Sequence, residues 1–149
     1  MSGPAGPLLL LVEDSAADAR LVREALIEND MAVDLRVARD GHEALELLFG
    51  AGGGSASLTP DLILLDLNLP GVDGLHVLER LKADARLRQV PVVVLTTSAA
   101  ARDVGAAYDL HANSYVVKPV DFFEFVDAMR SIQAFWLGLA QGPPPPARA

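Results

Sequence analysis

The chain has no cysteine. Disulfides, thiolate catalysis and cysteine-bound zinc are therefore excluded, and nothing in the residue usage points to secretion. Lysine is scarce: ten arginines stand beside two lysines, Lys82 and Lys118. Acidic residues outnumber basic ones, and the formal net charge is −8. No basic stripe offsets repulsion from a phosphate backbone, which argues against direct nucleic-acid binding. The nearest basic cluster is Arg80, Lys82, Arg86 and Arg88. It is interleaved with Glu79 and Asp84 and reads as a solvated helix end. No apolar run approaches the roughly 20 residues of a membrane span. Residues 1–7 carry no basic n-region, and the apolar stretch behind them stops at Glu13. That is not the pattern of a signal peptide, and the expected location is the cytoplasm.

What the chain does have is four short apolar runs, each closed by a residue able to handle phosphate or metal. Residues 8–12 run into Glu13 and Asp14, 62–65 into Asp66, 92–95 into Thr96, and 115–117 into Lys118. Continuous runs of this kind suit strands covered on both faces. Residues 33–38 alternate apolar and polar, as in a half-covered strand near an edge. Helices are expected over 16–29 with Ser15 as cap, over 41–49 with Asp40 as cap, over 75–84, over 99–110, and from Asp121 to residue 139. Gly105 inside the fourth helix costs about 1 kcal/mol relative to alanine, so this helix should be the loosest. Residues 50–60 form a Gly/Ser loop. Its glycines follow a helix and miss the spacing of a dinucleotide fingerprint. With 149 residues, 51% of them hydrophobic, the chain suits one domain. The expected division is a flexible N-terminus over 1–7, a folded unit over 8–139 and a Pro-rich disordered tail over 140–149.

Five strand–helix repeats imply an α/β fold, a five-stranded parallel sheet with helices on both faces. Ligands of such sheets lie beyond the carboxyl ends of the strands. Glu13, Asp14, Asp66, Thr96 and Lys118 all fall at those ends. Three carboxylates brought together repel, at roughly 4 kcal/mol for a pair about 4 Å apart at an effective dielectric near 20. They call for a divalent cation, and oxygen-only donors favour magnesium. Asp66 ends the central strand and can accept a phosphoryl group as an acyl phosphate. Lys118 can offset charge on the phosphoryl oxygens, and the Thr96 hydroxyl can donate to another of them. A lysine in a chain that otherwise uses arginine marks a place where a compact, mobile point charge is wanted.

This set of residues resembles the receiver domain of bacterial response regulators over residues 8–137. The resemblance implies a flavodoxin-like receiver fold with strand order 2-1-3-4-5. It implies that Glu13 and Asp14 bind Mg2+ together with Asp66 and the backbone carbonyl of Asn68. Asp66 is then the residue phosphorylated by a partner histidine kinase. Thr96 and Lys118 match the switch hydroxyl and the site lysine, Tyr115 matches the aromatic switch residue, and Pro119 matches a position usually occupied by a cis-proline. The stretches Leu95-Thr96-Thr97-Ser98, 108–115 and Phe135-Trp136-Leu137 are similar to single-domain regulators that partner phytochrome-type histidine kinases. The implied protein is a stand-alone phosphoacceptor in a two-component phosphorelay, not an enzyme in the usual sense, although it would assist its own phosphorylation and dephosphorylation.

Simpler readings exist for single residues. A lone Asp66 is a helix cap, Lys118 a turn lysine, Thr96 a strand threonine and Tyr115 a packed aromatic. The coincidence of all of them at matching strand ends is what favours the site. His42, His76 and His111 show no ligand spacing. Rival whole-chain readings are a binding module of the same fold that never carries phosphate, a phosphatase with an aspartyl nucleophile, and a flavin-binding protein. The phosphatase would want a second acid where Asn68 stands. The flavoprotein would want a hydroxyl- and glycine-rich loop where Glu13 and Asp14 stand. Four of the five phenylalanines and the only tryptophan, Trp136, fall in the last helix. Phe122, Phe125, Met129, Ile132 and Trp136 make one stripe, and Phe123, Val126, Phe135, Leu137 and Leu139 lie partly off it. A broad core contact and a partner surface both fit, and a homodimer through helices 4 and 5 is the favoured expectation. Thr97 stands where many receivers have Ala or Gly, and its bulk restricts the approach of water to an acyl phosphate. Following acyl-phosphate decay should show a longer lifetime in the wild type than in Thr97→Ala.

Overall fold

The computed structural model describes residues 6–30, 32–50 and 57–139. Most of the expected flexible N-terminus, the tail over 140–149 and residues 51–56 of the Gly/Ser loop lie outside the described residues. The elements alternate as β1 (Leu8–Val12), α1 (Ala16–Glu28), β2 (Asp34–Ala38), α2 (Gly41–Phe49), β3 (Leu62–Leu65), α3 (Gly74–Ala83), β4 (Val92–Thr96), α4 (Ala101–Asp109), β5 (Ser114–Val117) and α5 (Phe122–Ile132). A π-helical segment, Gln133–Leu139, continues α5. The five strands form one parallel sheet in the order β2-β1-β3-β4-β5, as the resemblance implied.

The continuous apolar runs have a simple cause. Successive side chains of a strand point to opposite faces, and here both faces are covered. Leu10, Val12, Ile63, Leu65, Val92 and Val94 pack on one side against Ala44 and Leu48 of α2, Val77, Leu78 and Leu81 of α3, and Ala107 of α4. Leu9, Leu11, Leu62, Leu64, Val93 and Leu95 pack on the other against Ala19, Val22, Ala25 and Leu26 of α1 and Phe125, Val126, Met129 and Ile132 of α5. Two cores thus share one sheet. The edge strands β2 and β5 are only partly buried, which matches the alternating sequence of β2.

Local signals set the helix starts. Ser15, Asp40, Asp73 and Asp121 each accept the backbone N–H of the third residue after them. Each such cap contributes about 1 kcal/mol. Asp73 caps α3, which therefore begins at Gly74, one residue ahead of the expected 75–84. Strand and helix limits elsewhere move by one or two residues, the usual scatter of element ends. Helix α4 has no side-chain cap and buries only Ala107, so it is the shallowest-packed helix. Leu21 and Ile27 of α1 are exposed.

Three expectations are corrected. The last helix does not run unbroken from Asp121: its turns widen from Gln133 onward. Gln133 is fully buried and its Oε1 accepts from Asn29 Nδ2 at 3.0 Å. The wider turn lets adjacent Trp136 and Leu137 both reach the α1–α5 core. Secondly, no cis peptide bond occurs among the described residues, so Lys118–Pro119 is trans. Trans is favoured for X–Pro by roughly 0.5–1 kcal/mol, and Lys118 reaches its partners from that isomer.

Thirdly, the basic cluster is not a solvated helix end. Lys82 Nζ donates to the carbonyls of Arg88 and Val90, each at 3.1 Å, and to Asn113 Oδ1 at 3.0 Å. Arg86 donates to Thr59 Oγ1 at 2.7 Å and to the carbonyls of Leu58 and Leu48. Both side chains close loops through the backbone carbonyls they bind. Replacing Lys82 by methionine keeps the aliphatic stem but abandons three acceptors. The expected loss is about 1–2 kcal/mol in a urea unfolding titration.

Candidate functional site

The sheet register assembles the site. Val12 pairs with Leu65, and Leu65 with Val94. The next residues along β1 and β3 are Glu13 and Asp66, which come level at the carboxyl edge. The Asp66 N–H donates to the Val12 carbonyl at 3.1 Å. Thr96 pairs with Val117, and the Lys118 N–H donates to the Thr96 carbonyl at 2.7 Å. Backbone hydrogen bonds therefore deliver the acids, the hydroxyl and the ammonium to one place. Glu13, Asp66 and Thr96 are buried and Asp14 is exposed.

Glu13, Asp14 and Asp66 each present a carboxylate oxygen, and all three oxygens lie within 4.8 Å of one another. Thr96 Oγ1 donates to Asp66 Oδ1 at 2.9 Å, and the Asn68 N–H donates to the same oxygen at 3.1 Å. Asp66 Oδ2 faces Lys118 Nζ at 3.3 Å. The ammonium also donates to Glu13 Oε1 at 2.5 Å and to Asp18 Oδ2 at 2.8 Å. Asp18 escaped the sequence reading. Its signal was available, since it falls four residues after Asp14 in the first turn of the helix that Ser15 caps.

The loop behind Asp66 is held by close backbone approach. A Cβ at Gly74 would stand 2.3 Å from the Asp66 carbonyl oxygen and 2.6 Å from Leu67 Cα. A Cβ at Gly41 would stand 2.3 Å from the Val72 carbonyl oxygen. Only glycine lets the starts of α3 and α2 press so near this loop. On the other side, Tyr115 is half-buried and its hydroxyl donates to the Ser98 carbonyl at 2.8 Å. That bond joins β5 to the segment just after Thr96. Ser98 itself donates to Asp103 Oδ2 at 2.6 Å and accepts from the Ala100 N–H, so it is a loop and cap residue. His42 and His76 are exposed beside Glu46 and Glu79 and stand apart from the site.

The electrostatics follow from crowding and burial. Burial pushes the Glu13 carboxyl from its ordinary 4.5 up to about 7, and the charge of Asp66 adds to the rise against the opposing pull of Lys118. Burial alone would lower Lys118. Hydrogen bonds to the Asp18 and Glu13 carboxylates outweigh it and hold the ammonium above the usual lysine range. Three carboxylates share this ammonium and Asp14 stands in the cluster beside them, a formal charge of −3. A divalent cation brings that to −1, and an all-oxygen donor set suits magnesium, with manganese as a substitute.

Residues 9–130 match the model of the response regulator receiver domain. The chain belongs to the response regulator receiver family. Among relatives of this receiver, response regulator Rcp1 of Synechocystis sp. is 44% identical over 139 residues, 92% of this chain and 95% of Rcp1. The crystal structure of the phosphorylated cyanobacterial phytochrome response regulator RcpA superposes with a TM-score of 0.87 at 41% identity, covering 94% of this chain and 100% of RcpA. The Mn2+-bound form of Rcp1 superposes with a TM-score of 0.85 at 43% identity, covering 93% and 99%. This receiver is thus a signalling protein of two-component systems, the phosphoacceptor partner of a histidine kinase, and its acidic cluster fits the divalent cation of the family. No helix among the described residues is long and apolar enough to cross a membrane.

Glu13 gives this receiver a pH signature. Its folded-state pKa is raised, so its proton is bound more tightly in the folded protein than in the unfolded one. The resulting stability is fully present below 4.5 and is lost as pH rises through about 7. In metal-free buffer the thermal midpoint of wild type relative to Glu13→Gln should fall between pH 5 and pH 8. Magnesium should reverse that fall, because a cation then takes the place of the proton.

Proposed function

We propose that Asp66 is the phosphoacceptor, with Thr96 and Lys118 as the groups that receive the phosphoryl oxygens. The observation that carries this reading is the division of labour at Asp66. One of its oxygens is held by the Thr96 hydroxyl and the Asn68 N–H, and the other faces Lys118 at 3.3 Å. A carboxylate gripped in this way presents a fixed nucleophilic oxygen beside a cation. Glu13, Asp14, Asp66 and the carbonyl of Asn68 would hold Mg2+. When bound, the ion supplies positive charge that offsets the acids and the entering phosphoryl group. The chain's own residues do the rest. Thr96 donates to one phosphoryl oxygen, Lys118 screens another, and Tyr115 follows the segment that carries Ser98. Hydrolysis of the acyl phosphate uses the same groups, which makes phosphorylation and dephosphorylation assisted reactions of this receiver.

The partner histidine kinase is of the phytochrome type, as supported by the likeness to Rcp1 and RcpA over nearly their whole length. A groove of about 220 Å³ opens beside Lys118, lined by Asp18, Leu21, Thr97, Val120 and Phe125 among others. It gives a phosphodonor side chain an apolar rim on the way to Asp66. The output is a change of protein contacts through a homodimer that uses helices 4 and 5. Exposed Tyr108 on α4, Val117 on β5 and Phe123 on α5 support that surface, with Phe135 just beyond. The setting is the cytoplasm, where such kinases present their catalytic domains.

Incubation with acetyl phosphate and Mg2+ tests the reading. The expected outcome is a mass gain of one phosphoryl group in the wild type and none in Asp66→Asn. No gain in the wild type would instead favour a binding module that never carries phosphate. The same samples on a sizing column should elute as a dimer, and Phe123→Glu should shift them toward monomer.

A further inference from the structure

Lys118 is shared by three carboxylates, and they are not equivalent. Glu13 has a side-chain exposure of 2% and Asp66 of 8%, whereas Asp18 stands at 36%. Glu13 and Asp66 also belong to the acidic cluster that fits a cation, and Asp18 does not. A buried carboxylate cannot release its counter-ion without leaving an uncompensated charge in a poor solvent. Asp18 can, because water takes over its solvation. Its backbone is fixed meanwhile: its N–H donates to Ser15 Oγ at 3.1 Å, and the first turn of α1 favours a negative charge there. Asp18 therefore cannot follow the ammonium when the ammonium moves.

On the reading that Asp66 is the acceptor, we propose that Asp18 is a positioning residue that competes with the phosphoryl oxygens for Lys118. In the unphosphorylated receiver it draws the ammonium toward α1 at 2.8 Å, leaving the contact with Asp66 Oδ2 longer at 3.3 Å. A phosphoryl group on Asp66 adds about −1.5 to −2 charge. The ammonium then moves inward, and the bond to Asp18 is the one that opens. That bond spans the groove between α1 and the loop after β5. Its opening is thus a direct report of phosphorylation at the rim of the site. Neutralising Asp18 removes the competitor and leaves the other partners of Lys118 in place.

The two lysines make the test selective, because protein labelled with [15N]lysine gives ammonium signals only from Lys82 and Lys118. With Mg2+ present, Asp18→Asn should move the Lys118 signal toward the position that beryllium fluoride produces in the wild type. Phosphorylation by acetyl phosphate should accelerate about two- to fivefold, the range of a partly exposed ion pair, and Asp18→Glu should restore the wild-type rate. The gain should vanish in a Lys118→Ala background, as coupling through the lysine requires. A Lys118 signal unmoved in Asp18→Asn, or a gain that persists without Lys118, would overturn the proposal. A wild type that takes up no phosphoryl mass would instead remove the acceptor reading, and this inference with it.

Discussion

One ammonium holds the carboxyl edge of this sheet together. Lys118 leaves the end of β5, crosses β4 and β3, and reaches acids from the end of β1, the first turn of α1 and the end of β3. The two apolar cores would bring those acids together regardless, since they fix the strands to one another. Without the cation the edge would then carry several negative charges a few ångström apart. Lys118 relieves that conflict, because its flexible stem brings one charge within reach of three carboxylates at once. Arginine, broader and planar, would be held in one geometry.

The sheet that carries this edge is rigid for a reason that also governs where chemistry can occur. Alternate residues of β1, β3 and β4 belong to different cores, so any shift of a strand by one residue would exchange their faces. The loops at the strand ends are free of that constraint. Even there, the segment behind Asp66 is clamped by the close approach of Gly74 and Gly41. The more lightly held side of the site is the opposite one, where Thr96, Ser98 and Tyr115 are linked by single hydrogen bonds and where α4 packs most shallowly.

Much of this was legible in the residues. The apolar runs gave the buried strands, and their terminal residues gave the site, because a parallel sheet lines up strand ends by construction. Ser15, Asp40 and Asp121 announced helix starts. What stayed hidden depended on packing. Asp18 reads as an ordinary first-turn acid until β5 brings Lys118 to it. Lys82 and Arg86 look like solvated charges until the loops they close are seen. The π turn at Gln133 follows from a buried amide meeting Asn29 across two helices, which helical periodicity cannot register. The trans bond before Pro119 departs from a family habit, and no residue near it signals that choice.

The near-absence of lysine acquires a practical meaning once both are placed. Lys82 is spent closing a loop with three hydrogen bonds, and Lys118 is enclosed by acids. The folded molecule thus offers acylating reagents and lysine acetyltransferases no freely swinging amine of this kind. An acyl group that did reach Lys118 would erase the one positive charge on which the carboxyl edge relies. Covalent silencing of this receiver through its lysines therefore has a single effective address, and that address opens only when the ammonium leaves its acids.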